Sequence, residues 1–254
     1  MNIIAHRGAN RHFPQNTLPA FQKAVALGAD GIETDVHLTA DGEIVICHDY
    51  TIDGTSNGSG DINLMTLAEL RQYDFGVRQG EPFAGLRIPL LRECLEIVRG
   101  LKLINIEIKP PRGGSMLVAE KTLAMVAEMG LSDKVLISSF DCNVLIAAKK
   151  IAPTVRTGML YDFVIEESPH VEEIMDDPAA FAKKIGADAM HPFVMLMGAD
   201  PEDAAEYIED CHKAGVDVNP WTVNDSEVVQ LMQSLHCDGV ITDVPDIARN
   251  AIEE

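Results

Sequence analysis

No apolar run in the 254-residue chain approaches the ~18 residues that a membrane-spanning helix needs. The N-terminus also lacks the basic stretch and long apolar segment of a secretory leader. Membrane insertion is therefore not expected. Basic residues are scarce: 20 Lys and Arg stand against 40 Asp and Glu, a formal charge of -20. That balance repels nucleic acid and anionic membrane surfaces and argues against both as partners. A phosphate-bearing substrate stays open, because local cations or a bound metal reverse the potential inside one cleft. Disulfide and zinc frameworks are missing too. Cys47, Cys94, Cys142, Cys211 and Cys237 are odd in number, widely spaced and free of any Cys-x-x-Cys pair. Such usage fits a reducing compartment, so a cytoplasmic location is expected.

With 46% hydrophobic and 24% charged residues and no low-complexity stretch, the composition reads as soluble and globular, and the length suits one domain spanning 1–254. Short apolar strands alternate with amphipathic helices along it. The first strand is Asn2 to Ala5, followed by a helix over Leu18 to Leu27; the second strand opens at Gly31. After a loose stretch from Tyr50 to Leu86, holding one short helix near Leu64 to Tyr73, the alternation becomes regular. Strands are expected at Leu103 to Ile108, Val135 to Ile137, Val155 to Met159, Ala187 to Met190, Val216 to Asn219 and Gly239 to Ile241, each followed by a helix. Eight such units close most simply into a (β/α)8 TIM barrel with a small insertion, about 50–86, after strand two. A doubly wound open sheet is the alternative.

The chemistry concentrates between Gly31 and Asp49. Alternate strand side chains share a face, so Glu33, Asp35 and His37 gather on one side. Asp41-Gly42 is a turn signal that folds the chain back as a hairpin and returns His48 toward the carboxylates. In a barrel the site lies at the carboxyl ends of the strands, which adds His6 and Arg7 from strand one and Asn105, Glu107 and Lys109 from strand three. Glu33, Asp35 and Glu107 would repel one another, and a hard divalent cation with oxygen ligands, Mg²⁺ or Ca²⁺, removes that repulsion most directly. His6 and His48 supply an acid and a base, and Arg7 and Lys109 supply positive charge. The set suits displacement at a phosphodiester.

Each member also has a plain structural reading. His6-Arg7-Gly8 or Glu-x-Asp alone is a weak motif, and Glu107 and Lys109 can simply bridge each other. Cys47 should face away from His48 into the core, and His191 reads as a structural residue or wall contact. Trp221, the only tryptophan, either lines the pocket against an apolar substrate face or merely packs.

Taken together, the motifs resemble the glycerophosphodiester phosphodiesterase family. The match includes Ala5-His6-Arg7-Gly8, Pro14-Gln15-Asn16-Thr17, Gly31-Ile32-Glu33-Thr34-Asp35, His48-Asp49, Glu107-Ile108-Lys109-Pro110, Trp221-Thr222-Val223-Asn224 and Ile241-Thr242-Asp243. The resemblance implies a TIM barrel and metal-dependent hydrolysis of glycerophosphodiesters to sn-glycerol 3-phosphate and an alcohol. It matches Glu33, Asp35 and Glu107 to metal ligands, His6 and His48 to an acid-base pair, and Arg7 and Lys109 to phosphate contacts. It further implies attack by the substrate's own 2-hydroxyl through a cyclic phosphate. Two positions depart: Gln15 stands where the family usually has Glu, and Gly54 where Arg is common. Phospholipase-D-like or phosphoinositide-type cleavage is a second reading, disfavoured by the lack of an evident exposed apolar segment; a non-catalytic ligand-binding barrel is a third.

Overall fold

The structure, a computed structural model, describes residues 1–164, 169–197 and 200–253. Its strands are β1 (Asn2–His6), β2 (Gly31–Leu38), β3 (Ile44–Ile46), β4 (Leu103–Ile108), β5 (Val135–Ser139), β6 (Arg156–Tyr161), β7 (Ala189–Pro192), β8 (Asp217–Val218) and β9 (Gly239–Thr242). In β1, Ile3, Ile4 and Ala5 are all fully buried, as a parallel strand covered on both faces requires. β1 lies between β2 and β9, and β2 leads through β4, β5, β6 and β7 to β8, every neighbour parallel. Backbone bonds from Asp238 N to Val218 O (3.2 Å) and from Ile241 N to Pro220 O (2.9 Å) span the remaining gap. Eight parallel strands thus form a nearly closed (β/α)8 barrel, and the open-sheet alternative falls away. β3 pairs antiparallel with β2, completing the hairpin around Asp41-Gly42.

The helices are α1 (Leu18–Ala26), α2 (Leu67–Leu70), α3 (Leu91–Val98), α4 (Leu117–Glu128), α5 (Cys142–Ile151), α6 (Val171–Asp176), α7 (Pro178–Ile185), α8 (Pro201–Lys213), α9 (Ser226–Ser234) and α10 (Pro245–Glu253). Their limits follow local chemistry. α8 opens on Asp200, whose carboxylate accepts from Glu202 N and Asp203 N, and Pro201 takes the first helical position, where a missing N–H costs nothing. Ala204, Ile208 and Cys211, spaced at 3.6-residue intervals, carry its buried face. None of the helices of the described residues is long and apolar enough to cross a membrane.

Several elements differ from the periodicity. The helix expected over Leu64 to Tyr73 splits into a 3-10 turn, Ile62–Leu64, and α2, because Asp61 and Thr66 each cap a separate start. β8 is only two residues long, and Pro220 has no N–H with which to extend it. α6 has no sequence signature: its six residues stop short of Asp177, which caps α7 by accepting from Ala180 N.

Between β3 and α3 the chain makes a second, smaller apolar cluster from Val45, Cys47, Ile52, Ile62, Leu70, Phe75 and Ile88. The two ends of this stretch meet: Val45 bridges Leu90, and Ile46 N donates to Pro89 O at 2.9 Å.

Candidate active site

Register places the acids. Asp35 on β2 is level with Glu107 on β4, and Glu33 lies two residues earlier on the same face. One oxygen of each of the three falls within 4.8 Å of the others, and all three residues are buried. Two residues in left-handed conformation hold them: Arg7, at φ 55°, donates its backbone N–H to Glu33 Oε2 (3.1 Å). Asn16, at φ 58°, donates Nδ2 to Asp35 Oδ2 (2.8 Å) while its Oδ1 accepts from Thr34 Oγ1 (2.9 Å). Lys109 Nζ sits 2.5 Å from Glu107 Oε1 and 3.2 Å from Asp35 Oδ1, and Arg7 Nε lies 3.6 Å from Asp35 Oδ2.

Three carboxylates therefore face two cations, and one negative charge is left over. Burial pushes Asp35 up, but Lys109 and then Arg7 outweigh it and hold the group well below the ordinary carboxylate range. Glu33 bears the surplus: burial, then repulsion from Asp35 and Glu107, lifts it far above its usual value. Glu107 is raised to about 7, burial exceeding the attraction of Lys109. Glu33 Oε1 is buried without a hydrogen-bond partner, and Asp35 Oδ1 has only the Lys109 ammonium beside it. Under-partnered, mutually repelling oxygens with no nitrogen or sulfur ligand among them fit a hard divalent cation. Glu107 with Lys109 does bridge as the plain reading allows, yet that pair leaves Glu33 uncompensated.

His6 ends β1, with Nε2 3.9 Å from Glu33 Oε2 and Nδ1 2.7 Å from Asp243 Oδ1. Asp243 is fixed in turn by Asn10 Nδ2 on Oδ1 (2.7 Å) and Asn224 Nδ2 on Oδ2 (2.8 Å). His48 returns on the hairpin, its Nδ1 2.7 Å from Asp49 Oδ1. A carboxylate only accepts, so each ring carries a proton on Nδ1 and leaves Nε2 as the nitrogen that takes up or gives one. Burial lowers the pKa of both rings, outweighing these carboxylates. His37 does not join the acids. Its Nε2 lies 3.4 Å from His48 O and its ring packs edge-on against Tyr50.

A cavity of about 210 Å³ is lined by His6, Arg7, Glu33, His48, Glu107, Phe140 and Trp221, among others. It adjoins a larger one of about 680 Å³, which shares His48, Glu107 and Phe140 and adds Asp49, Lys109 and Asp141. Asp35 is fully buried and lines neither cavity, and Trp221 stands in the wall. The indole Nε1 donates to His191 O at 2.8 Å, so His191 supports Trp221 through its main chain rather than facing the cavity. Cys47 is buried with its thiol pushed up to about 11, a poor nucleophile.

Sequence reasoning gave no role to Asp243, Asn16 or Asp49. Asp243 follows the last strand, and barrel closure alone was enough to place it beside the end of the first. The two departures acquire partners as well. Gln15 Oε1 accepts from Arg7 Nη1 at 2.6 Å, so the amide keeps the guanidinium in place without a charge. A Cβ on Gly54 would stand 2.6 Å from Asp49 Oδ2, so the bare glycine leaves room for the carboxylate that holds His48.

Comparison with known proteins agrees with this geometry. The model of the glycerophosphoryl diester phosphodiesterase family matches residues 6–247. The chain is 39% identical over 256 residues to a glycerophosphodiester phosphodiesterase of Caldanaerobacter subterraneus subsp. tengcongensis, a match covering 99% of this chain and 98% of that one. It is 33% identical over 254 residues to another of Bacillus altitudinis, covering 99% and 98%. An Oleispira antarctica phosphodiesterase solved in complex with the product sn-glycerol-3-phosphate superposes with a TM-score of 0.89 at 27% identity, covering 100% of this chain and 97% of that one. Barrel, acid cluster and end-to-end similarity lead to one conclusion: the chain belongs to the glycerophosphoryl diester phosphodiesterase family.

Proposed function

We propose that the protein hydrolyses glycerophosphodiesters to sn-glycerol 3-phosphate and an alcohol, with a divalent cation held by Glu33, Asp35 and Glu107 and with His6 and His48 as the acid-base pair. The observation that carries this reading is the trio of buried carboxylates, within 4.8 Å of one another, two of which, Glu33 and Glu107, line a cavity together with both histidines. When bound, Mg²⁺ or Ca²⁺ supplies the positive charge that turns a net-negative cluster into one able to receive an anionic phosphodiester. Arg7 and Lys109, already neutralised in part by Asp35 and Glu107, orient the phosphoryl oxygens.

One imidazole takes the proton of the substrate's sn-2 hydroxyl at Nε2 as its oxygen attacks phosphorus. The other, entering the step as the imidazolium, gives its Nε2 proton to the departing alcohol, and the two exchange roles when water opens the cyclic phosphate. Each is worth ~10²- to 10⁴-fold in rate. Trp221 excludes water from one side of the cavity. Product release from glycerophosphocholine, with Mg²⁺, with Ca²⁺ and with chelator, tests the reading. Metal-dependent sn-glycerol 3-phosphate is the expected outcome, lost in His6→Ala and His48→Ala. Near-normal rates in His48→Ala would remove the acid-base assignment.

A further inference from the structure

A separate cavity, of about 420 Å³, lies between α1, the start of α3 and the long stretch that joins β3 to α3. It shares no lining residue with the two cavities around His48. Leu18 and Pro19 of α1 and Leu86 of the joining stretch give it an apolar wall, and its charged groups are Arg71, Arg87 and Glu93. Arg71 commits only part of its guanidinium to Glu93. Its Nη2 lies 3.2 and 3.3 Å from the two carboxylate oxygens, while Nε is buried without a hydrogen-bond partner. Glu93 Oε2 is itself shared, since it also accepts from Leu90 N at 2.8 Å. Arg87 is exposed and, among the described residues, has no hydrogen bond or ion pair.

Two guanidinium groups thus face one carboxylate, a local positive surplus in a chain whose acids outnumber its bases 40 to 20. Planar, forked N–H donors match the oxygens of a phosphate, and the apolar wall beside them matches a body of a few carbons. The volume falls within the ~300–1,000 Å³ typical of small-molecule sites. The walls also lead to the catalytic groups through the main chain. Thr17, in the wall, follows Asn16, whose Nδ2 donates to Asp35 at 2.8 Å and whose Oδ1 accepts from Thr34 Oγ1 at 2.9 Å. Pro89, also in the wall, accepts from Ile46 N at 2.9 Å, two residues before His48. These bonds stand at favourable lengths, so a displacement of either wall weakens them.

We infer that this cavity is an effector site for a small soluble phosphate monoester with an apolar body, held by Arg71 and Arg87, and that its occupancy slows turnover by drawing Asn16 away from Asp35. The site itself is independent of the function proposed above, and only its effect on turnover is read through that activity. A phosphate monoester can also be presented by a phosphatidate bilayer, but the charge of -20 opposes approach to such a surface.

Phenyl phosphate is the probe. Titration calorimetry on the full chain, with chelator present so that no cation draws the anion to the acid cluster, should give a dissociation constant of about 0.1–1 mM. Inorganic phosphate, which lacks the ring, should bind about 10-fold more weakly. Arg87→Glu, an exposed change, and Arg71→Gln, which leaves Glu93 its bond from Leu90 N, should each weaken phenyl phosphate about 10-fold. With metal and saturating glycerophosphocholine, phenyl phosphate should lower kcat about 5-fold in the wild type and leave it unchanged in Arg87→Glu. A competitor in the catalytic cavity would raise KM alone. Absence of calorimetric binding, or equal affinity in the wild type and both variants, overturns the inference, and binding that leaves kcat untouched overturns the effector role. Sedimentation with vesicles of phosphatidylcholine and phosphatidate, lost in Arg87→Glu, would assign the site to a membrane lipid and overturn the soluble ligand. Should glycerophosphocholine not be cleaved at all, the catalytic reading and the effector role fail, while calorimetry still decides the site.

Discussion

His6 Nδ1 lies 2.7 Å from Asp243 Oδ1, two groups 237 residues apart in the chain that meet because β9 closes the barrel against β1. The contact sets both the tautomer and the tilt of the ring, which directs Nε2 toward Glu33. Asn10 and Asn224 hold the carboxylate so firmly that it has one orientation to offer. Asp243→Ala is accordingly expected to lower kcat about 10²-fold while leaving KM for glycerophosphocholine within about 2-fold. A matching rise in KM with kcat preserved would mean that Asp243 serves binding rather than ring position.

The surplus charge at Glu33 makes the acid cluster a stability switch. Saturating Mg²⁺ or Ca²⁺, at 100 times the dissociation constant, should stabilise the fold by about 2.7 kcal/mol, which for a chain of this size raises Tm by roughly 5–10 °C. Glu33→Gln should abolish most of that rise and also activity, yet be at least as stable as the wild type without metal, because it removes the carboxyl that burial and its neighbours disfavour. Differential scanning calorimetry with and without metal decides the matter; an equal metal-induced rise in the variant would exclude Glu33 as a ligand.

Room at Gly54 matters for the second histidine. In Gly54→Ala the new methyl displaces Asp49 Oδ2, the end of a short side chain on the surface, at small cost to the fold. Oδ1, which bonds His48 Nδ1 at 2.7 Å, must turn with it, so His48 is expected to lose its acceptor. A fall in kcat of about 10-fold, with unfolding free energy within ~1 kcal/mol of the wild type, is expected. Unchanged turnover would show that His48 needs no carboxylate.

Acid sensitivity should trace in part to His191. Its Nε2 accepts from Asn219 Nδ2 at 3.2 Å within the barrel, and burial lowers its pKa to about 3 from 6.5. The folded-state value lies below the unfolded one, so the neutral ring's contribution is complete above about pH 6.5 and is lost progressively as pH falls toward 3. Between pH 7 and pH 4.5 the loss should be about 2–3 kcal/mol. Urea titrations at the two pH values should show a correspondingly smaller loss in His191→Gln. Equal losses in both proteins would assign the acid sensitivity elsewhere.

The barrel could be read from the sequence because parallel strands buried on both faces leave short apolar runs, as in Ile3 to Ala5, against which the inward Asn105 and Glu107 of Ile104 to Ile108 stand out. The same period of two exposed Glu33, Asp35 and Glu107 as a set. Asp243, Asn16 and Asp49 carry no such signal: a polar residue in a loop reads as solvated until closure of the barrel supplies its partner. His37 misled for the opposite reason, since it sits on the acids' alternation but near the strand end, where the chain turns and His48 O takes its Nε2. β8 was overextended because a sequence pattern does not show where Pro220 ends the pairing.

Val45 bridging Leu90 means that the long stretch carrying Asp49 and Tyr50 leaves the barrel and rejoins it at one point. Closing a loop whose ends already touch costs little more for a long insert than for a short one. Evolution can therefore lengthen, trim or exchange this stretch while the barrel keeps its strand register. Directed evolution has the same freedom, and a library confined to 50–86 would touch the larger cavity at Tyr50 alone, with β2 and β4 left as they are.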